Sequence, residues 1–183
     1  MVNVLTAFLV CLSIVVKAQE PTLEGGLSAF LKENTKYPRY SLQNCIQGTV
    51  EIGFKLNKKG EVYYSAITNG IGTDLDDEAL RLIKLSSGKW NIPVNHDTLA
   101  LVLVPINFSL KGYDCEFRDK NAIALAIRAY KVEAELVNVI VNFYRNKQNG
   151  VFNAAEEPKI LKLRSELEID DEYLNRLLAK PIN

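Results

Sequence analysis

The chain has 183 residues, and its 22 Lys+Arg balance 22 Asp+Glu, so its formal net charge is zero. That balance argues against a protein that holds nucleic acid by bulk electrostatics, while 48% hydrophobic residues with only 10 Gly and 6 Pro argue against a disordered or collagen-like chain. The length predicts one or two small domains.

The chain opens on an apolar run, Val4 to Val16, interrupted by Thr6, Cys11 and Ser13 and followed by Val16-Lys17-Ala18. This pattern predicts a cleavable signal peptide over residues 1–18, although Met1-Val2-Asn3 lacks the usual basic residue. The run is shorter than the roughly 20 residues a membrane-spanning helix needs, which makes a retained anchor the weaker alternative. Cys11 lies inside the run, which does not suit lipidation. Export predicts a periplasmic product, with secretion as the second option. Beyond the signal two cysteines remain, Cys45 and Cys115. In an oxidising compartment they form either one bridge or two separate buried thiols. A bridge closing about 70 residues gives roughly 4 kcal/mol in the chain-entropy model.

From Gly25 to Leu110 the pattern predicts a small α+β domain in the order helix, strand, strand, helix, strand. Ser28-Ala29-Phe30-Leu31-Lys32 suggests a short helix, with Ser28 as a cap, that ends before Tyr37-Pro38. Val50, Ile52, Phe54 and Leu56 alternate with Thr49, Glu51, Gly53 and Lys55, which predicts a strand buried on one face. Asn57-Lys58-Lys59-Gly60 turns it into a second strand over 61–68. Thr73 or Asp74 then caps a helix whose inward face is Leu75, Ala79, Leu82 and Ile83. The acidic start of that helix (Asp74, Asp76, Asp77, Glu78) is explained by capping and by the helix dipole more simply than by a cation. The third strand, from Leu99 to Phe108, is apolar at both parities up to Ile106 and so predicts cover on both faces. Pro105 cannot donate to a ladder, which places this strand at an edge, at a bulge, or with the proline near its end, the edge being preferred. If the first and third strands are antiparallel neighbours, Cys45 and Cys115 meet at one end of the sheet.

Several of these residues, in order and at matching separations, resemble one family. They are Gly25-Gly26, Tyr37-Pro38, Ile46-Gln47-Gly48-Thr49-Val50, the Gly60 hairpin, Asp76-Asp77-Glu78-Ala79-Leu80-Arg81, Lys89-Trp90 and Pro105-Ile106-Asn107-Phe108. Together they look like the C-terminal domain of TonB-type energy transducers, over about Gly25–Leu110. The resemblance implies that Tyr37, Pro38, Gly48, Gly60, Trp90 and Phe108 determine the fold. It also implies a periplasmic module that binds an extended segment, the TonB box, of an outer-membrane receptor or another envelope protein. Such binding is strand addition to the third strand, with Leu99, Leu101, Leu103, Pro105 and Asn107 as the candidate partner-binding residues. Transducers resemble an anchor, a long proline-rich spacer and then the domain; here about six residues separate Ala18 from Gly25. Ser86-Ser87-Gly88 replaces the usual proline before Lys-Trp.

Residues 111–183 lie outside the resemblance and predict a helical extension packed on the domain. Ile123, Ile127, Tyr130, Ala134, Val137, Val141 and Tyr144 form a seam spaced by four and three. Leu125, Val132, Leu136, Val139 and Phe143 broaden it. Gln148-Asn149-Gly150 ends this helix, and Pro158 opens the next. A helical hairpin folded over the sheet would cover the apolar third strand, the alternative being a seam that pairs two copies or docks a partner. No catalytic, cofactor or metal residue is expected, because the single histidine, His96, has no motif neighbours and no phosphate loop occurs. The functional expectation is a non-enzymatic interaction module linked to TonB-dependent transport. The alternative is an adaptor whose C-terminal helices bind the partner, without energy transduction.

Overall fold

The computed structural model describes residues 20–115 and 118–179, so the expected signal peptide lies outside the described residues. The elements run β1 (Thr22–Leu23), α1 (Leu27–Asn34), α2 (Arg39–Gln43), β2 (Gly48–Leu56), β3 (Val62–Asn69), α3 (Asp74–Leu85), β4 (Trp90–Asn91), β5 (Val102–Phe108), α4 (Lys120–Gln148), α5 (Glu157–Glu166) and α6 (Asp171–Leu178). This is the expected α+β order with three short additions, β1, α2 and β4. The main sheet is antiparallel with strand order β3-β2-β5, and β1 pairs separately with β4.

Alternation along β2 decides which way the sheet faces. Val50, Ile52, Phe54 and Leu56 are fully buried, and α3 meets them with Leu75, Ala79, Leu82 and Ile83. Burying each large side chain stabilises by about 1.5–3 kcal/mol before the loss of chain entropy is subtracted. Thr73 is the N-cap of α3, its side chain accepting from the Leu75 amide. Three of the four acidic side chains that follow are occupied by neighbours, and Asp77 is exposed. Asp74 accepts from the Tyr40 amide and the Ser41 hydroxyl, Asp76 from the Ile71 and Gly72 amides, and Glu78 from the Lys36 amide and Arg81. They tie α2 and the loops to α3.

The β2–β3 turn depends on Gly60. Its φ is +76°, and a Cβ there would lie 2.2 Å from the Trp90 carbonyl oxygen, so both backbone angle and space demand glycine. Trp90 packs its ring 5.0 Å from that of Phe54 and donates from Nε1 to Ser86 Oγ at 2.9 Å. Ser86-Ser87-Gly88 therefore does the work of a tight exit from α3. Ser86 is its C-cap, Ser87 Oγ accepts from the Val62 amide, and the Gly88 amide donates to Gly60.

Three expectations are corrected. Ser28 is not a cap: the cap position lies two residues earlier, at Gly26, with no side-chain cap bond. The third strand begins at Val102, not Leu99. Asp97 accepts from the Leu99 amide through its side chain and from the Ala100 amide through its carbonyl, which bends 97–100 into a turn. The helices do not cover the outer face of the sheet, where Leu101 and Leu103 stay about half exposed. The reason lies in where α4 starts. Cys45, just after α2, is bonded to Cys115, with Cα atoms 5.6 Å apart, and Asp119 caps α4 soon afterwards. The first turns of α4 therefore settle beside α2. Tyr40 Oη donates to the Ala126 carbonyl at 2.9 Å, and the Tyr40 and Tyr130 rings lie 4.9 Å apart. Farther along, α4 forms a second core with α5 and α6 around Ile140, Phe143, Ile160, Ile169 and Leu174.

Candidate functional site

β5 is an edge strand, paired with β2 on one side and with no strand on the other among the described residues. Its register runs from Gly48 opposite Phe108 to Phe54 opposite Val102. Side chains alternate cleanly: Val104, Ile106 and Phe108 are buried, while Leu103, Pro105 and Asn107 are exposed. In an antiparallel pair the main-chain groups alternate too, so every second residue of β5 turns its N–H and C=O away from β2. An unpaired row of this kind templates another strand.

A groove of about 530 Å³ runs beside this edge. One wall is β5 from Pro105 to Phe108 and the adjoining Ser109; the other is α1 with Leu27, Ser28, Leu31 and Lys32, continued by Thr35 and Tyr37. The walls follow from local sequence. Phe30 is buried in the core, which turns Leu27 and Leu31, one helical turn apart, toward the flank. Pro38 is the N-cap of α2 and sets the end of the α1 wall. Tyr37 is held firmly, its hydroxyl donating to the Ile46 carbonyl at 2.6 Å and its ring meeting the Phe108 ring edge-on at 6.1 Å. Burial, with smaller contributions from Asp74 and Tyr113, pushes its phenol up to about 12. Tyr37 is thus a tethered and uncharged part of this wall, and Lys32 is the cation among the lining residues.

Of the sequence-derived partner-binding residues, Leu103, Pro105 and Asn107 share the exposed face of β5, and Pro105 and Asn107 also line the groove. Leu101 immediately precedes the strand and lies over Gly53, whose Cβ position would be 2.8 Å from a Leu101 methyl; Leu99 is 72% exposed in the preceding turn. The structure does not bring these two leucines to the groove. Among the fold residues, Gly48 opens β2 with the Ile71 side chain above it, and Trp90 and Phe108 lie in the core. His96 is buried in the turn before β5, with Lys58 Nζ donating to its carbonyl at 2.6 Å. Sequence reasoning missed the α1 wall. The signal was Leu27 and Leu31 at helical spacing, with Phe30 already occupying the core.

The matched family agrees with this architecture. Residues 33–110 match the family model of the Gram-negative bacterial TonB protein C-terminal. The match covers less than half of the chain, and it supports the resemblance read from the sequence over the α/β region. Within it lie β5, Thr35 and Tyr37, whereas Leu27, Ser28, Leu31 and Lys32 precede it and α4–α6 follow it. Comparison with the curated proteins and with the solved structures returns no match. No helix among the described residues is long and apolar enough to cross a membrane.

Proposed function

We propose that the TonB C-terminal-like region is a non-enzymatic periplasmic docking module, delivered by a cleaved signal peptide. It takes an extended segment of an outer-membrane receptor, or of another envelope protein, by strand addition to β5. The observation that carries this reading is the coincidence of two features. The outer side of β5 lacks a strand partner among the described residues, and an apolar groove between α1 and β5 runs along that same side. Main-chain bonds supply affinity in this mode, and pockets for alternate side chains supply selectivity. Leu27, Leu31 and Tyr37 offer such a pocket for apolar side chains. Leu103, Pro105 and Asn107 flank the incoming strand, and the helical region from residue 111 is an extension packed on the module.

The test is a titration with a synthetic TonB-box segment, followed through backbone amide resonances. Shifts concentrated at Val102–Phe108 and Leu27–Thr35 are expected. Ser28→Trp, which places a large ring in the groove from an exposed position, should abolish them without unfolding the protein. Shifts spread over α4–α6 instead would favour the second reading, an adaptor that binds through its helices. The half-exposed Leu125, Val132 and Val139 on α4 support that reading.

A further inference from the structure

Helix α4 carries two apolar faces; the structure uses one along its length and the other only at its C-terminal end, where Phe143, one heptad after Leu136, is buried in the second core. Ile123 and Ile127 pack against the α/β core with Tyr130 beside Tyr40, and Val137 and Tyr144 pack against α5 and α6. Residues two positions away point roughly 200° around the helix, to the far side. There Ala122, Leu125, Ala129, Val132, Leu136 and Val139 follow one another at spacings of three and four, a heptad seam. Leu125 is 61% exposed, Val132 51% and Val139 50%, with Ala122 and Ala129 also exposed and Leu136 partly buried. About 18 residues of seam span roughly 27 Å at 1.5 Å per residue.

We infer that this seam pairs with the same seam of a second copy of the chain, the two α4 helices running antiparallel. Size complementarity selects this arrangement. With the two-fold axis between residues 130 and 131, Ala122 faces Val139 of the other copy, Leu125 faces Leu136, and Ala129 faces Val132. Small then meets large in the two end and two central layers, as interdigitated packing needs. A parallel pairing in register sets alanine against alanine in two layers and leaves them open. Charge agrees with the same axis. Arg128 and Glu135 occupy equivalent flanking positions, exposed and without an ion-pair partner among the described residues. The antiparallel two-fold brings Arg128 of each copy beside Glu135 of the other, giving two symmetric pairs. The pairing does not involve β5 or its groove, so it stands apart from the strand-addition reading.

Sedimentation equilibrium on the purified chain tests the inference. A monomer–dimer equilibrium is expected. Val132→Glu, which buries a like-charge pair near the axis, should raise the dissociation constant at least tenfold, equivalent to about 1.4 kcal/mol. Arg128→Glu should also weaken the dimer, and the double exchange Arg128→Glu with Glu135→Arg should restore it. Spin labels placed at Lys120→Cys should lie about 30 Å apart in the dimer, from the 21 residues of axial offset. A chain that stays monomeric at every concentration overturns the inference. So does a dimer indifferent to Val132→Glu, or a label separation of about 10 Å, which marks a parallel pair.

Discussion

In the α/β region Ile46, Val50, Ile52, Phe54 and Leu56 lose all exposure to solvent, while in the helical region Ile140 alone does so among the described residues. The two regions bury apolar surface by different means. In the first, β2 is clamped between β3 and β5 and roofed by α3, so one strand supplies side chains to a core drawn from residues far apart in sequence. In the second, a long helix is met on one side by two short ones, and its opposite face stays open. The difference teaches where cooperativity resides. The expectation is that global stability belongs to the sheet, with α5 and α6 as a local unit that opens at lower cost.

Phe54→Ala should break the contrast most strongly. Removing a fully buried ring packed on Trp90 should cost about 3–5 kcal/mol and lower the denaturant midpoint of the whole α/β region. Ile140→Ala, also at a fully buried site, should speed amide exchange in α5 and α6 while leaving β2 protected. Equal loosening of both regions by either substitution would merge them into one cooperative unit.

Reducing the Cys45–Cys115 bond probes the joint between the regions. The separation of 70 residues corresponds to about 4 kcal/mol of chain entropy, an upper figure for the stabilisation delivered. A thiol-treated sample should show a lower denaturant midpoint and faster exchange at the start of α4, where Tyr40 and Ala126 meet. An unchanged midpoint would mean that the Tyr40 contacts alone seat the helix.

The smallest effect is alkaline and touches both regions. Burial is the first cause of the raised phenols of Tyr37 and Tyr130, each pushed from 10.0 up to about 12. A group whose folded value exceeds its unfolded value stabilises fully below the unfolded one and loses that contribution as pH rises toward the folded one. Stability should therefore fall between about pH 10 and 12. Tyr37→Phe should flatten part of that fall in a series of urea midpoints, and a fall of unchanged size would assign it to other groups.

Much of this was legible in the residues because the signals were local or strictly periodic. Period-two alternation at Val50, Ile52, Phe54 and Leu56 fixed the inward face of β2, and Leu75, Ala79, Leu82 and Ile83 fixed that of α3. Pro105 marked an edge because a residue without N–H is poorly placed inside a ladder. The misreadings arose where a nonlocal contact decides. Apolar residues at both parities around β5 suggested cover, but the path of α4 is set by the Cys115 tether and the Tyr40 contacts, which no periodicity records. Asp97 ended the apolar run as a strand by offering backbone amides a nearer acceptor. The α1 wall of the groove went unread because Leu27 and Leu31 acquire their role from β5, over 70 residues away.

Strand addition to β5 is tested most directly by amide hydrogen exchange on the outward residues of β5, with and without a TonB-box segment. If β5 is the docking edge, alternate amides between Val102 and Phe108 exchange fast in the free protein and slow markedly when the segment is added, while β2 stays protected in both. Uniform protection of β5 in the free protein, or protection unaltered by a saturating segment, would contradict it.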